Sequence, residues 1–71
     1  MIIIRLWLEN AREEKGLSKV MLAEMAHLDI SAIGKYERGE RRPSVDTAKR
    51  IALILGVEWT LFFEDDSILD S

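Results

Sequence analysis

Three observations predict an all-α fold. Apolar residues recur at helical spacing, the runs are separated by glycines, and Ser or Asp stands where a helix would begin. No segment alternates apolar and polar residues over strand length, and there is no Asn-Gly or Asp-Gly hairpin signal. No internal repeat and no low-complexity tract interrupts the pattern.

The elements follow in order. Ile4, Leu8 and Ala11 lie at i, i+4 and i+7 and predict a first helix stopped by Gly16. Ser18 can then cap a second helix with Leu22, Ala23 and Ala26 on one side. This helix stops at His27 rather than at a glycine, and a positive φ there is strained for His. Asp29 is the next N-cap candidate, and a third helix through Ile33 and Tyr36 ends at Gly39. Glu40-Arg41-Arg42-Pro43 reads as a charged turn closed by proline. Ser44 caps a fourth helix whose apolar stripe is Val45, Ala48, Ile51, Ala52 and Leu55, stopped at Gly56. A short fifth helix holds Trp59, Phe62 and Phe63.

Composition removes whole classes of chemistry. A chain of 71 residues is at most one small domain, and at that size about 60% of the unfolded surface is buried, so a partner chain often completes the core. Without Cys there is no disulfide, thiolate metal site or thiol nucleophile, and a single His excludes a multi-His zinc site. His27 and Asp29 are too close along the chain to face each other as a base and its orienter. The expectation is a protein without enzymatic activity, metal, cofactor or small-molecule ligand. The apolar run from Ile51 to Val57, broken only by Gly56, falls well short of the ~20 residues that cross a bilayer. Met1 to Leu8 is apolar but carries Arg5 and lacks a basic start and a small-residue cleavage site, so no signal peptide is expected. These features predict a soluble cytoplasmic domain with no membrane association.

The net charge of −3 conceals an asymmetry. Residues 1–50 hold all ten bases against eight acids, a net of +2; residues 51–71 hold five acids and no base. The expected organisation is one domain over residues 1–66 with a short acidic C-terminal tail at 67–71. An ordinary solvated acidic end accounts for the second segment; the slightly basic first segment can face phosphate.

Two short helices joined by Ala26-His27-Leu28-Asp29 have the spacing of a helix-turn-helix. Several segments make the match specific. They are Leu8-x-x-Ala11-Arg12-Glu13-Glu14-Lys15-Gly16-Leu17-Ser18, Leu22-Ala23-x-x-Ala26, Ile33-x-Lys35-Tyr36-Glu37-Arg38-Gly39, Pro43-Ser44 and Ile51-Ala52-x-x-Leu55-Gly56-Val57. In this order, without a gap, the chain from Leu8 to Phe63 resembles the lambda-repressor-like family, the Cro or xenobiotic-response-element type of helix-turn-helix regulator. The resemblance implies a compact five-helix bundle that binds double-stranded DNA, with the second helix of the pair in the major groove.

On the third helix Ser31, Lys35 and Arg38 fall at i, i+4 and i+7, a face roughly opposite the Ile33–Tyr36 side. A hydroxyl and two cations suit guanine O6 and N7 or phosphate oxygens. By resemblance, the base-reading positions correspond to Ile30, Ser31 and Lys35, and the start of the second helix to Lys19. Lys35 and Ser31 are expected on base edges and Ile30 on a thymine methyl; Lys19, Arg38, Arg41 and Arg42 are expected on phosphates. Ile30 is only about sixty degrees from Ile33 on a helical wheel, so a place at the core edge stays open. Gly34 costs about 1 kcal/mol relative to Ala inside a helix. It leaves room either for the groove or for a neighbouring helix. The resemblance also implies that Arg12 pairs with Glu37 in a partly buried, two-pronged contact.

Several residues depart from the family pattern. The chain has no Gln, Val20 and Met21 stand where acids are common, and His27 replaces a turn Gly. Asp29, at the groove-facing helix start, repels phosphate unless capping absorbs its carboxylate. Ile2, Ile3, Trp7, Leu53, Ile54, Leu61, Ile68 and Leu69 exceed what the core stripe requires. They either close the core or form a two-fold homodimer through the fourth and fifth helices and the tail. The leading expectation is a homodimeric repressor reading a palindromic operator. The alternative is a protein-interaction module, antitoxin-like or an accessory subunit, that retains the fold.

Overall fold

The computed structural model describes residues 5–64. The expected tail at 67–71, and Ile2, Ile3, Ile4, Ile68 and Leu69, lie outside the described residues. Four helices follow in chain order: α1 (Leu6–Glu14), α2 (Lys19–Ala26), α3 (Ile30–Glu37) and α4 (Val45–Leu55). Residues 61–64 add a fifth, single-turn helical segment, and no strand occurs among the described residues.

The starts of α2, α3 and α4 are those the sequence predicts. Ser18 Oγ accepts from the Met21 amide at 3.1 Å, Asp29 Oδ1 from the Ser31 amide at 3.1 Å, and Ser44 Oγ from the Thr47 amide at 3.2 Å. Each bond satisfies one of the donors that a helix N-terminus leaves without an intrahelical partner. Only α1 lacks a side-chain cap; Arg5 occupies that position and its backbone amide donates to Glu37 O at 2.9 Å.

All four helices stop with one device. A left-handed residue follows, and the next amide bonds back across the last turn: Leu17 to Arg12 O, Leu28 to Ala23 O, Glu40 to Lys35 O and Val57 to Ala52 O. The left-handed residue is Gly16, His27, Gly39 and Gly56 in turn. At His27 the backbone has φ 58° and ψ 46°, the conformation expected from its place in the turn and disfavoured by its Cβ.

The core lies where α1, α2, α3 and α4 meet. Leu8, Leu22, Ile33, Ile51 and Phe62 are its largest fully buried side chains. Ala11, Ala23, Ala26, Ala32, Ala48 and Ala52 are buried between them and let the helix backbones approach closely. α2 packs on α3 and α4, and α3 also touches α1. Phe62 brings the single-turn segment into this core; burying one such ring contributes about 2–3 kcal/mol, which a segment too short to be helical alone requires.

Part of the apolar surplus closes the core. Trp7 meets Phe62 edge-on with ring centroids 4.9 Å apart, and Ile54 packs against the same cluster. Leu61 is half-buried, whereas Leu53 is 85% exposed. Val45 corrects the expected α4 stripe: it is 47% exposed, because the first turn of α4 overhangs the core and the buried side starts at Thr47 and Ala48. Trp59 likewise precedes the fifth helical segment instead of lying in it.

Candidate nucleic-acid interface

α2 and α3 are joined by residues 27–29 alone. The exposed side of α3 is set by what its other side buries, namely Ala32, Ile33, Gly34, Tyr36 and Glu37. Ile30, Ser31 and Lys35 are left exposed, and Ile30 at 46% exposure stands outside the core cluster, so the core-edge alternative does not hold. Lys19 is the first residue of α2 and is also exposed. The Asp29 carboxylate at the start of α3 is engaged by the Ser31 amide, as a cap requires.

Two of the four expected phosphate cations have other partners. Arg38 is the C-cap residue of α3, still in right-handed helical conformation with its amide on Gly34 O; its Nε donates to Glu40 Oε2 at 2.6 Å and its Nη2 to Oε1 at 3.4 Å. The hydrogen bond to Glu40, reinforced by the carboxylate's charge, raises the Arg38 pKa. The same bond holds the Glu40 carboxyl below its ordinary value, with the charges of Arg38 and Lys35 adding to the effect. Arg42 lies over the Phe63 ring, 5.5 Å from its centroid. The Arg41 side chain is exposed while its carbonyl is held from beneath.

Of the two readings open for Gly34 from the sequence, close contact with a neighbouring helix does not hold. A Cβ there would come within 2.9 Å of Arg38 Nη1, the end of an exposed side chain. The glycine is a seat for the guanidinium four residues on, not a contact for a neighbouring helix.

Three arginines, Arg5 and Arg12 buried and Arg50 partly exposed, hold the backbone around this surface. Arg12 Nε donates to Glu37 Oε2 at 2.7 Å and Nη2 to Oε1 at 3.4 Å, the two-pronged buried pair implied by the family resemblance. Its Nη1 reaches Leu17 O at 2.8 Å. The hydrogen bond to Glu37 raises the Arg12 pKa against the opposing effect of burial. Arg5, 4% exposed, donates from Nη1 to Tyr36 O and to Arg41 O, each at 2.9 Å, and so ties the end of α3 to the following loop. Arg50 donates from Nη1 to Ala26 O at 2.8 Å, a cation on the C-terminus of α2. Sequence reasoning did not single out Arg5 or Arg50. The signal for Arg5 was a lone charge in an apolar run; Arg50 offered only its spacing four residues after Asp46, with which it pairs at 3.6 Å.

Among the described residues no helix is long and apolar enough to cross a membrane, and no cluster of His, Asp or Glu could hold a metal ion.

Residues 8–62 match the helix-turn-helix family model HTH_3. The chain is 40% identical over 63 residues to YqaF of Bacillus subtilis (strain 168), named an uncharacterized HTH-type transcriptional regulator, covering 89% of this chain and 83% of that one. It is 31% identical over 58 residues to the immunity repressor protein of Bacillus phage phi105, covering 82% of this chain and 40% of the repressor. The crystal structure of an HTH_3 family transcriptional regulator from Vibrio cholerae superposes with a TM-score of 0.70 at 33% identity, covering 93% of this chain and 37% of that one. The chain belongs to the lambda-repressor-like helix-turn-helix family of transcriptional regulators.

Proposed function

We propose that this chain is a sequence-specific DNA-binding repressor that places α3 in the major groove of double-stranded DNA. The observation that carries the reading is the exposed side of α3, where Ile30, Ser31 and Lys35 stand clear of the core beside an Asp29 whose carboxylate caps the helix. Lys35 and Ser31 read base edges and Ile30 meets a thymine methyl. Lys19, Arg41, Arg42 and Arg38 contact phosphates, the last after leaving Glu40. The name of the phage relative, an immunity repressor, favours repression over activation. A homodimer contacting through Leu53 on α4 would read a palindrome with half-sites about 34 Å apart. The protein acts in the cytoplasm without cofactor, metal or small-molecule ligand and has no enzymatic role.

The test is an anisotropy titration against the DNA upstream of its own coding sequence. Log affinity should fall linearly with log salt, and Arg41→Ala should lower the slope by about 0.9, because one phosphate fewer is neutralised. Lys35→Ala should flatten discrimination between this duplex and a scrambled one. Absence of binding at low salt overturns the proposal and favours the second reading, a protein-interaction module. That reading draws on α2, where Val20, Met21 and Met25 stay about half exposed on a helix outside the groove.

A further inference from the structure

The recognition surface carries an acid in direct contact with one of its bases. Glu40 follows Gly39, whose left-handed backbone (φ 74°) turns the chain back, and the Glu40 amide is tied to Lys35 O at 2.9 Å. The turn places the carboxylate where both its oxygens reach the Arg38 guanidinium. The guanidinium also lies over Gly34, the one α3 residue without a side chain to displace it. Seat and clasp thus come from different elements, the α3 helix and the turn after it, and Arg38 is held by both while about half its side chain stays in solvent.

We infer that Glu40 occupies Arg38 in place of a DNA phosphate and so suppresses sequence-independent binding to DNA. This rests on the DNA-binding reading above. A carboxylate and a phosphodiester compete for the same two-pronged donor. An exposed ion pair is weak, so a phosphate held in register by base contacts displaces Glu40. A phosphate met at random, without those contacts, gains little net attraction from the Arg38–Glu40 pair. The carboxylate therefore lowers the sequence-independent affinity that an unpaired Arg38 would supply.

The experiment compares the full chain with Glu40→Gln, Arg38→Gln and the double variant, by anisotropy on a labelled duplex of scrambled sequence across a salt series. Circular dichroism checks folding, which both exposed sites should leave intact. Glu40→Gln should bind the scrambled duplex roughly threefold or more tighter at low salt, with a log–log salt slope steeper by about 0.9, as neutralising one more phosphate requires. The added slope should vanish in the Arg38→Gln background. An unchanged slope in Glu40→Gln overturns the inference. So does a gain that persists without Arg38, since Glu40 would then act only through its general charge. Wild-type protein that binds no DNA at low salt overturns both this inference and the function it rests on; wild-type binding with an unchanged Glu40→Gln slope overturns this inference alone.

Discussion

Arg12 and Glu37 lie 25 positions apart in the chain and meet at 2.7 Å, a buried contact that fastens the end of α1 to the end of α3. Arg12 spends a further donor on Leu17 O, so the turn leading to α2 hangs on the same guanidinium. Truncating one partner leaves the other charge buried, which costs about 3–5 kcal/mol. Glu37→Gln and Arg12→Met should each show a loss of that size in urea denaturation. The double replacement Arg12→Met/Glu37→Met should recover most of it. Single losses below about 1 kcal/mol would mean that the pair is hydrated rather than buried.

Arg5 should matter to the loop more than to the core. Its Nη1 serves the Tyr36 and Arg41 carbonyls together, and hydrogen bonds from a charged donor are worth about 1.5–3 kcal/mol each. Arg5→Gln is expected to cost about 3 kcal/mol in stability and to speed hydrogen exchange at the Glu40 amide beside this loop. Unchanged exchange there would show that the loop holds itself.

His27 is the left-handed stop that is not a glycine. An L-residue pays about 1–2 kcal/mol in that conformation, partly offset for Gly by its greater freedom when unfolded. His27→Gly should therefore stabilise the domain by about 1 kcal/mol, which in a domain this small raises Tm by about 4–8 °C. A lower Tm would mean that the imidazole makes a compensating contact.

The Arg38–Glu40 pair sets a pH dependence of defined sign. The Glu40 carboxyl is lowered in the folded state by the Arg38 hydrogen bond, so the folded chain holds that proton less readily than the unfolded chain. Its contribution to stability is present above the unfolded pKa and is lost as pH falls through the lowered folded value. The pair is exposed, so the direct readout is the carboxyl titration followed by NMR. Its midpoint should fall below the usual Glu range and rise in Arg38→Gln. Equal midpoints would show that the two groups do not meet in solution.

Leu53 provides a clean test of self-association. At 85% exposure it supports no core packing, so Leu53→Glu should alter monomer stability by less than about 0.5 kcal/mol. It should shift the sedimenting mass from dimer to monomer. A dimer that survives the substitution would exclude this face of α4, and a monomeric wild type would exclude the homodimer.

The parts legible in the sequence are those decided over a few residues. Ser18, Asp29 and Ser44 each cap within three positions, and the stops at Gly16, His27, Gly39 and Gly56 each close over five. The chain cannot place these residues differently without losing local hydrogen bonds, so their types alone carry the message. The pairing of Arg12 with Glu37 was legible through family likeness, not through spacing. Val45 misled because periodicity reports a helix face, not how far the core extends beneath it.

By itself, then, the sequence determined the order of the helices, the capped starts of α2, α3 and α4, and the stops after α1 to α4. Tertiary structure decided the partners of the arginines. A guanidinium on a long side chain has several acceptors within reach, and only the folded backbone shows which are near and which are already satisfied. Arg5 finds two carbonyls 31 and 36 residues away, and Arg50 finds the end of α2 24 residues back. Arg38 reaches only two residues on to Glu40, because the turn at Gly39 brings that carboxylate back. Such choices depend on distance in space, and a linear pattern of residue types does not contain that distance.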